Sequence, residues 1–327
     1  MFDPLREKKT PVLSPGMVIQ GKWKHQTYRV VRLLGQGANG SVYLVWRDQV
    51  QAALKIGPDV TALALEYTHL ENLAIHPLST CKLGPAVFEL DDIAFQGVSW
   101  SILVMEYIAG IPIDQFIQDK GSNWVPLCLL KIARMMEQLH ALGYSFCDLK
   151  PANILFDVQT AQARFVDFGG ITHHTQAVKE FTEAYDRAWW GRGSRKADGY
   201  YDVFALGMLG VQLVAPISRK AIEYLSTKAP LERDFWLDEH LRTHRLIDKV
   251  VPTLIKMVAR IPSMDSKAVI ADMTNLLGKK GDLSVKNEMI LPAKKVWRRF
   301  DVTDWWLLVA VFTFVSVLFL LLWIGRS

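Results

Sequence analysis

Cysteine is scarce in this chain, with Cys81, Cys128 and Cys147 the only three among 327 residues. Their number is odd and their spacings fit neither a metal cage nor a disulfide framework, which points to a reducing compartment. The first residues, MFDPLREKKTPVLSPG, hold charges and three prolines but no apolar run, so a secretory leader is not expected. A flexible arm over residues 1–24 is expected instead. Internal repeats are lacking too, which leaves out repeat architectures. Charge is not strongly biased: a net +5 and a pI near 9.0 suit anionic partners, but the excess is spread over a large chain.

Long apolar runs are absent until the end. From Trp305 to Ile324 no charged residue occurs, and about twenty such residues in a helix span a hydrocarbon core. Tryptophans at both ends suit the membrane interfaces, and a transmembrane helix over 304–325 is expected. Lys294, Lys295, Arg298 and Arg299 precede it, against Arg326 alone beyond. The positive-inside bias therefore implies a tail-anchored, single-pass protein of the cell membrane, with everything before the helix in the cytoplasm. Residues 278–303 read as a basic juxtamembrane linker. Its cations, with Lys279, Lys280 and Lys286 added, could meet anionic lipid headgroups, although the four nearest the helix need do no more than set topology.

Between arm and linker the pattern changes once. YRVVRLLGQGANGSVYLVWRD reads as two β runs joined by glycines, QAALKIG as a third strand and SWSILVMEYIAG as a buried one, with a helical VTALALEYTHLENLAIH between them. From Pro112 onward helical periodicity dominates, in VPLCLLKIARMMEQLHALGY, YYDVFALGMLGVQLVA, LIDKVVPTLIKMVARI and SKAVIADMTNLLG. The α+β chain thus divides into a small β-rich lobe over about 25–110 and a helical lobe over about 111–277.

Four stretches carry chemistry. LGQGANGSVYLV holds Gly35, Gly37, Gly40 and Val42, with Gln36, Ala38 and Asn39 filling the turn. Glycines let a hairpin close its backbone over phosphates, yet such a hairpin alone serves equally well as a plain turn. In AALK, Ala53 and Lys55 lie on the next strand, where an ammonium can grip phosphates once a carboxylate orients it. Glu66 is the preferred partner and Glu71 the alternative. CDLKPANILF supplies Asp148 to orient a hydroxyl, Lys150 to steady a transferring group and Asn153 to hold a magnesium ion, and FVDFGG supplies Asp167 for magnesium. Phosphoryl transfer calls for this division of labour, because its work is positioning and neutralising oxygens.

These stretches fall in an order that resembles the eukaryotic-like (bacterial) serine/threonine protein kinase family, from roughly Tyr28 to Leu277. The resemblance implies a two-lobed protein kinase fold binding ATP and Mg2+. Val42, Ala53 and Leu155 would sandwich adenine, Glu106 and Ile108 would lie in a hinge over MEYIAG, and Asp202 would pin the catalytic loop. GKW, the catalytic loop without arginine, KEFTEAYDRAWWGRGSRKA and the terminal apolar helix resemble a tail-anchored branch of that family associated with sporulation. That resemblance adds double-stranded DNA to anionic lipid as a partner of the linker, and self-association remains open. The activity implied is transfer of a γ-phosphate to protein hydroxyls, including its own. A pseudokinase acting as an ATP-binding membrane scaffold is the alternative, against which stand Lys55, Asp148, Asn153 and Asp167 together.

Departures from the family pattern carry their own expectations. Phe146 stands where a histidine is usual and should fill the lobe interior. Cys147 stands for an arginine that pairs with activation-loop phosphate, so such a phosphate is not expected to be the main switch. Thr172, Thr175 and Thr182 are candidate autophosphorylation sites, with Arg187, Arg192 or Arg195 as substitute phosphate partners. No Ala-Pro-Glu follows, so the buried ion pair that usually anchors the peptide-binding segment is not expected, and Trp189 and Trp190 should pack in its place. His173 and His174 read as solvated loop residues.

Overall fold

The computed structural model describes residues 10–37, 40–75, 83–157, 162–244 and 249–278. The expected membrane helix and all but the first residue of the linker lie outside these, and no helix among the described residues is long and apolar enough to cross a membrane.

The N-lobe is a six-stranded antiparallel sheet in the order β1-β2-β3-β4-β6-β5. Its strands are β1 (Val18–Gln20), β2 (Thr27–Gly37), β3 (Gly40–Arg47), β4 (Val50–Gly57), β5 (Val87–Phe95) and β6 (Val98–Glu106), with helix α1 (Val60–Ile75) between β4 and β5. Side chains alternate faces along a strand. Tyr43 and Val45 on β3, Ala52, Leu54 and Ile56 on β4, and Trp100, Ile102 and Val104 on β6 therefore share one face and form the lobe's core. The same alternation sends Ala53 and Lys55 to the opposite face.

Residues before β2 are not a loose arm throughout. Leu13 is buried, its N–H donates to Tyr43 Oη at 3.1 Å, and the Tyr43 hydroxyl donates to Pro11 O at 3.2 Å. With β1 paired to β2, the folded lobe starts near Pro11, well before the boundary expected at residue 25. Strand β5 was also not legible, because Glu89, Asp91 and Asp92 mask its pattern. Each acid has a partner: Tyr28 Oη donates to Glu89 at 2.6 Å, the Trp23 and Lys24 amides donate to Asp91 at 2.9 Å each, and Ser101 Oγ donates to Asp92 at 2.8 Å.

The C-lobe begins with β7 (Ile111–Pro112), α2 (Ile113–Lys120), α3 (Val125–Ala141) and β8 (Tyr144–Ser145). Strands β9 (Ile154–Phe156), β10 (Ala163–Phe165) and β11 (Thr172–His173) carry the loops of the site. Helix α4 (Gly199–Val214) is buried continuously from Tyr201 to Val211, and its first turn is capped by Asp198, which accepts from the Tyr201 amide at 2.7 Å. Helices α5 (Arg219–Ser226), α6 (Pro230–His244), α7 (Val251–Met257) and α8 (Ser266–Gly278) complete the lobe.

The segment after the missing Ala-Pro-Glu corrects one expectation. Trp189 and Trp190 are buried, as anticipated, with ring centroids 4.9 Å apart. A buried ion pair forms as well. Arg192 Nε donates to Asp234 on α6 at 2.7 Å, with the two side chains 3% and 1% exposed, and Arg192 Nη1 donates to Val258 O at 2.6 Å. Its cation follows the two tryptophans and its anion lies on α6, with the exposed Arg260 also meeting Asp234 and the exposed Asp238 also meeting Arg192. Removing one member of such a pair costs about 3–5 kcal/mol, whereas replacing both with apolar residues costs far less. Asp234→Leu should lower the thermal midpoint more than Arg192→Leu/Asp234→Leu does. A double variant as unstable as the two single variants summed would show that the pair is not a unit.

Candidate active site

Lys55 lies in β4 with its ammonium 2.7 Å from Glu66 Oε2 on α1 and 2.7 Å from Asp167 Oδ1 at the end of the β10 loop. Helix phase selects Glu66, since Leu63, Glu66, Leu70 and Leu73 share the buried face, while Glu71 accepts from Tyr67 on the exposed one. Burial alone would push the Lys55 ammonium down, but the attraction of Glu66 and Asp167 outweighs it and holds the lysine above its usual range. Burial lifts the deeply enclosed Glu66 carboxyl. Against its own burial, Asp167 is held below the usual carboxylate range by Lys55. Glu66 also accepts from the Phe168 amide at 3.0 Å, so one carboxylate fixes both the lysine and the Asp167 loop.

The catalytic loop is held from below. Asp202 on α4 accepts from the Phe146 amide at 2.7 Å and the Cys147 amide at 2.9 Å. His140 Nε2 lies 3.0 Å from the same carboxylate, which only accepts, so that nitrogen carries the proton. Cys147 has φ of +65° and Asp167 of +64°, a conformation that costs an ordinary residue about 1–3 kcal/mol and persists where the surroundings impose it. Phe146 fills the interior as expected, stacked on Phe165 at 4.4 Å and edge-on to Phe168 at 5.6 Å.

Asp148 then faces the cleft with both oxygens engaged. Lys150 Nζ donates to Oδ2 at 2.6 Å, Asn153 Nδ2 donates to the same oxygen at 3.0 Å, and Thr182 Oγ1 donates to Oδ1 at 3.0 Å. Thr182, a candidate autophosphorylation site, thus reaches the carboxylate of the site itself. It lies 34 residues from Asp148, and no local pattern marked it. Because Asn153 spends its amide nitrogen on Asp148, its carbonyl oxygen remains for a cation. Together with the ionised Asp167 this is an all-oxygen donor set, which fits magnesium.

Gly35, Gln36, Gly37 and Gly40 form the β2–β3 hairpin, while Ala38 and Asn39 lie outside the described residues. Among the described residues, no atom beyond the chain neighbours lies within 4 Å of where side chains on Gly35 or Gly37 would be, leaving room for phosphates to approach the backbone. Gly40 has φ of +131°, and a Cβ there would lie 2.2 Å from Ile56 O. Val42 pairs with Lys55 and Ala53 with Met105 across the sheet, and Leu155 pairs with Pro112 beyond the hinge. The Glu106 carboxylate turns to Arg164, 2.9 Å away, so at this position only the main chain could serve adenine. The Ile108 carbonyl accepts from the Gly110 amide at 2.9 Å.

The comparisons with known proteins agree with this geometry. The model of the protein kinase domain matches residues 28–260. The chain belongs to the protein kinase family. It is 36% identical over 223 residues to serine/threonine-protein kinase YabT of Bacillus subtilis (strain 168), covering 68% of this chain and 64% of that protein. It is 25% identical over 264 residues to serine/threonine-protein kinase C of Synechocystis sp., covering 74% of this chain and 47% of that protein. The chain thus spans less than two thirds of either relative's length. Among solved structures, the Cydia pomonella granulovirus kinase PK-1 superposes with a TM-score of 0.56 at 16% identity, covering 75% of this chain and 93% of the viral one. That match speaks to the fold.

Within the kinase fold, the position of the usual phosphate-pairing arginine is sealed. Cys147 is 3% exposed, and burial with Asp202 beside it pushes its thiol well above the usual range. The substitute arginines are committed elsewhere, Arg187 to Asp198 at 2.7 Å, Arg192 to Asp234, and Arg195 to the buried Asp186 at 2.7 Å. Thr172 is buried and donates to Gly170 O at 2.9 Å, whereas Thr175 is exposed. His173 is exposed as expected, but His174 is half-buried, with Nε2 enclosed and lacking a hydrogen-bond partner. A thiol held this way is inert. Iodoacetamide applied to the native protein should leave Cys128 and Cys147 unlabelled, with both reacting after denaturation. Peptide mapping that finds Cys147 labelled in the native state would show that the thiol is accessible and reactive.

Proposed function

We propose that this chain is an active serine/threonine protein kinase that transfers the γ-phosphate of MgATP to protein hydroxyls, its own among them. The observation that carries this reading is two sets of side chains brought to the same cleft. Lys55 is clamped by Glu66 and Asp167, and Asp148 is bridged by Lys150 and Asn153, with every member at 2.6–3.0 Å from its neighbour. Asp148 would orient the acceptor hydroxyl and take up its proton. Lys150 beside it would hold the transferring group in line, and Lys55 would fix the phosphates under the β2–β3 hairpin. Asn153 and Asp167 would hold magnesium, whose charge neutralises phosphate oxygens when bound. A scaffold that binds nucleotide without turnover has no use for this complete set. Serine and threonine as acceptors follow from Lys150 in DLKPAN and from the names of the curated relatives.

The membrane reading belongs to the proposal too, and it rests on residues 304–325. Full-length protein should stay with the membrane pellet after a high-salt wash, while a chain ending at Gly278 should be released. Release of both would remove the anchor.

Incubating the full chain with MgATP should give phosphoserine or phosphothreonine by mass spectrometry. Asp148→Asn and Asp167→Asn should each lower the incorporation at least about 10²-fold. Mapped sites should include exposed Thr175 before buried Thr172. Binding of MgATP with no incorporation into itself or generic protein substrates would overturn the kinase reading.

A further inference from the structure

Outside the cleft, a groove of about 730 Å³ runs between the hinge at Glu106–Ala109, helix α3 and the β9–β10 hairpin. None of Val42, Ala53, Lys55, Asp148, Leu155 and Asp167 lines it. Its floor is apolar, made of Ile108, Met135 and Ala163, all buried. The walls carry three cations, Lys131, Arg134 and Arg164, and two carboxylates, Glu106 and Asp157. Arg164 and Glu106 are taken by each other at 2.9 Å.

Lys131 and Arg134 lie three residues apart on α3, one above the other. Among the described residues neither forms an ion pair, and no carboxylate acts on the Lys131 ammonium, which burial and the neighbouring Arg134 hold below its usual range. Two like charges one helical turn apart beside an apolar floor offer an incoming anion a pair of partners.

We infer that this groove docks an acidic, apolar-containing segment of a protein substrate, its carboxylates on Lys131 and Arg134 and its apolar side chains on Ile108, Met135 and Ala163. Charge complementarity to Lys131 and Arg134 selects this occupant. The inference rests on the kinase reading and names a class of substrate for it. Docking away from Asp148 raises the local concentration of the acceptor without touching the chemical step, so it acts on KM and leaves kcat alone.

Two measurements on the full chain in detergent test it. In the first, anisotropy of a fluorescein-labelled peptide of alternating glutamate and leucine is read with the cleft filled by MgADP. The wild type should bind it and ignore a lysine–leucine analogue, and Lys131→Gln/Arg134→Gln should weaken binding about tenfold or more. In the second, one serine peptide is phosphorylated with and without a Gly/Ser-linked acidic tail. The tail should lower KM in the wild type at unchanged kcat, and the double variant should lose that advantage while phosphorylating the untailed peptide normally. Equal binding of both labelled peptides, or full affinity in the double variant, would overturn the inference. So would a double-stranded DNA probe that binds the wild type and is lost from the double variant while the acidic peptide does not bind. If the untailed peptide is never phosphorylated, the kinase reading fails, and the anisotropy still decides the groove.

Discussion

One buried ammonium organises the cleft. Lys55 lies between a carboxylate on helix α1 and another on the Asp167 loop, so its charge ties β4, α1 and the C-lobe together at a single point. Out of water, that charge is tolerable only with partners within reach, and two carboxylates would repel each other without it. The position of α1, the ionisation of Asp167 and the placing of Phe168 therefore follow from one residue on a strand. The alternation that buries Leu54 and Ile56 also aims Lys55 at the cleft, so the sheet's hydrophobic pattern and its chemistry are the same fact seen from two faces.

Beneath the cleft, a second carboxylate plays the corresponding part for the catalytic loop. Asp202 accepts two consecutive amides and the His140 ring, and those bonds impose the left-handed conformation at Cys147. The loop is thus fixed by main-chain contacts, which ask little of the side chains at Phe146 and Cys147. Replacement of the usual histidine and arginine is then a change of packing, while Asp148 keeps its place. On the far side of the loop, Arg187 pairs with Asp198 and Arg195 with Asp186, and Tyr201 joins the two pairs, its Oη donating to Asp186 at 3.0 Å and its amide to Asp198 at 2.7 Å. A segment held by its own carboxylates has little need of an added phosphate.

The glycine hairpin, Lys55, the catalytic loop and Asp167 were legible because each is a local pattern of residue types, and Glu66 followed from helix phase. What escaped were arrangements made by distant partners. Strand β5 and helix α6 carry buried acids that break their patterns, and those acids become intelligible only beside Tyr28, the Trp23 and Lys24 amides and Arg192. Thr182 reaches Asp148 across 34 residues, and Arg192 reaches Asp234 across 42. The arm before β2 was misjudged over residues 11–24 for a related reason: its prolines and charges look like solvated chain, while Leu13 and Pro11 are secured by the hydroxyl of Tyr43.

The burial of the Arg192–Asp234 pair bears on engineering. A segment transplanted without Arg192 would leave buried Asp234 with only the exposed Arg260 beside it, and a helix transplanted without Asp234 would leave a buried guanidinium short of its partner. Neither half tolerates exchange alone. Segment and helix α6 therefore form a single unit of substitution, and any chimaera across this boundary has to move both or neither.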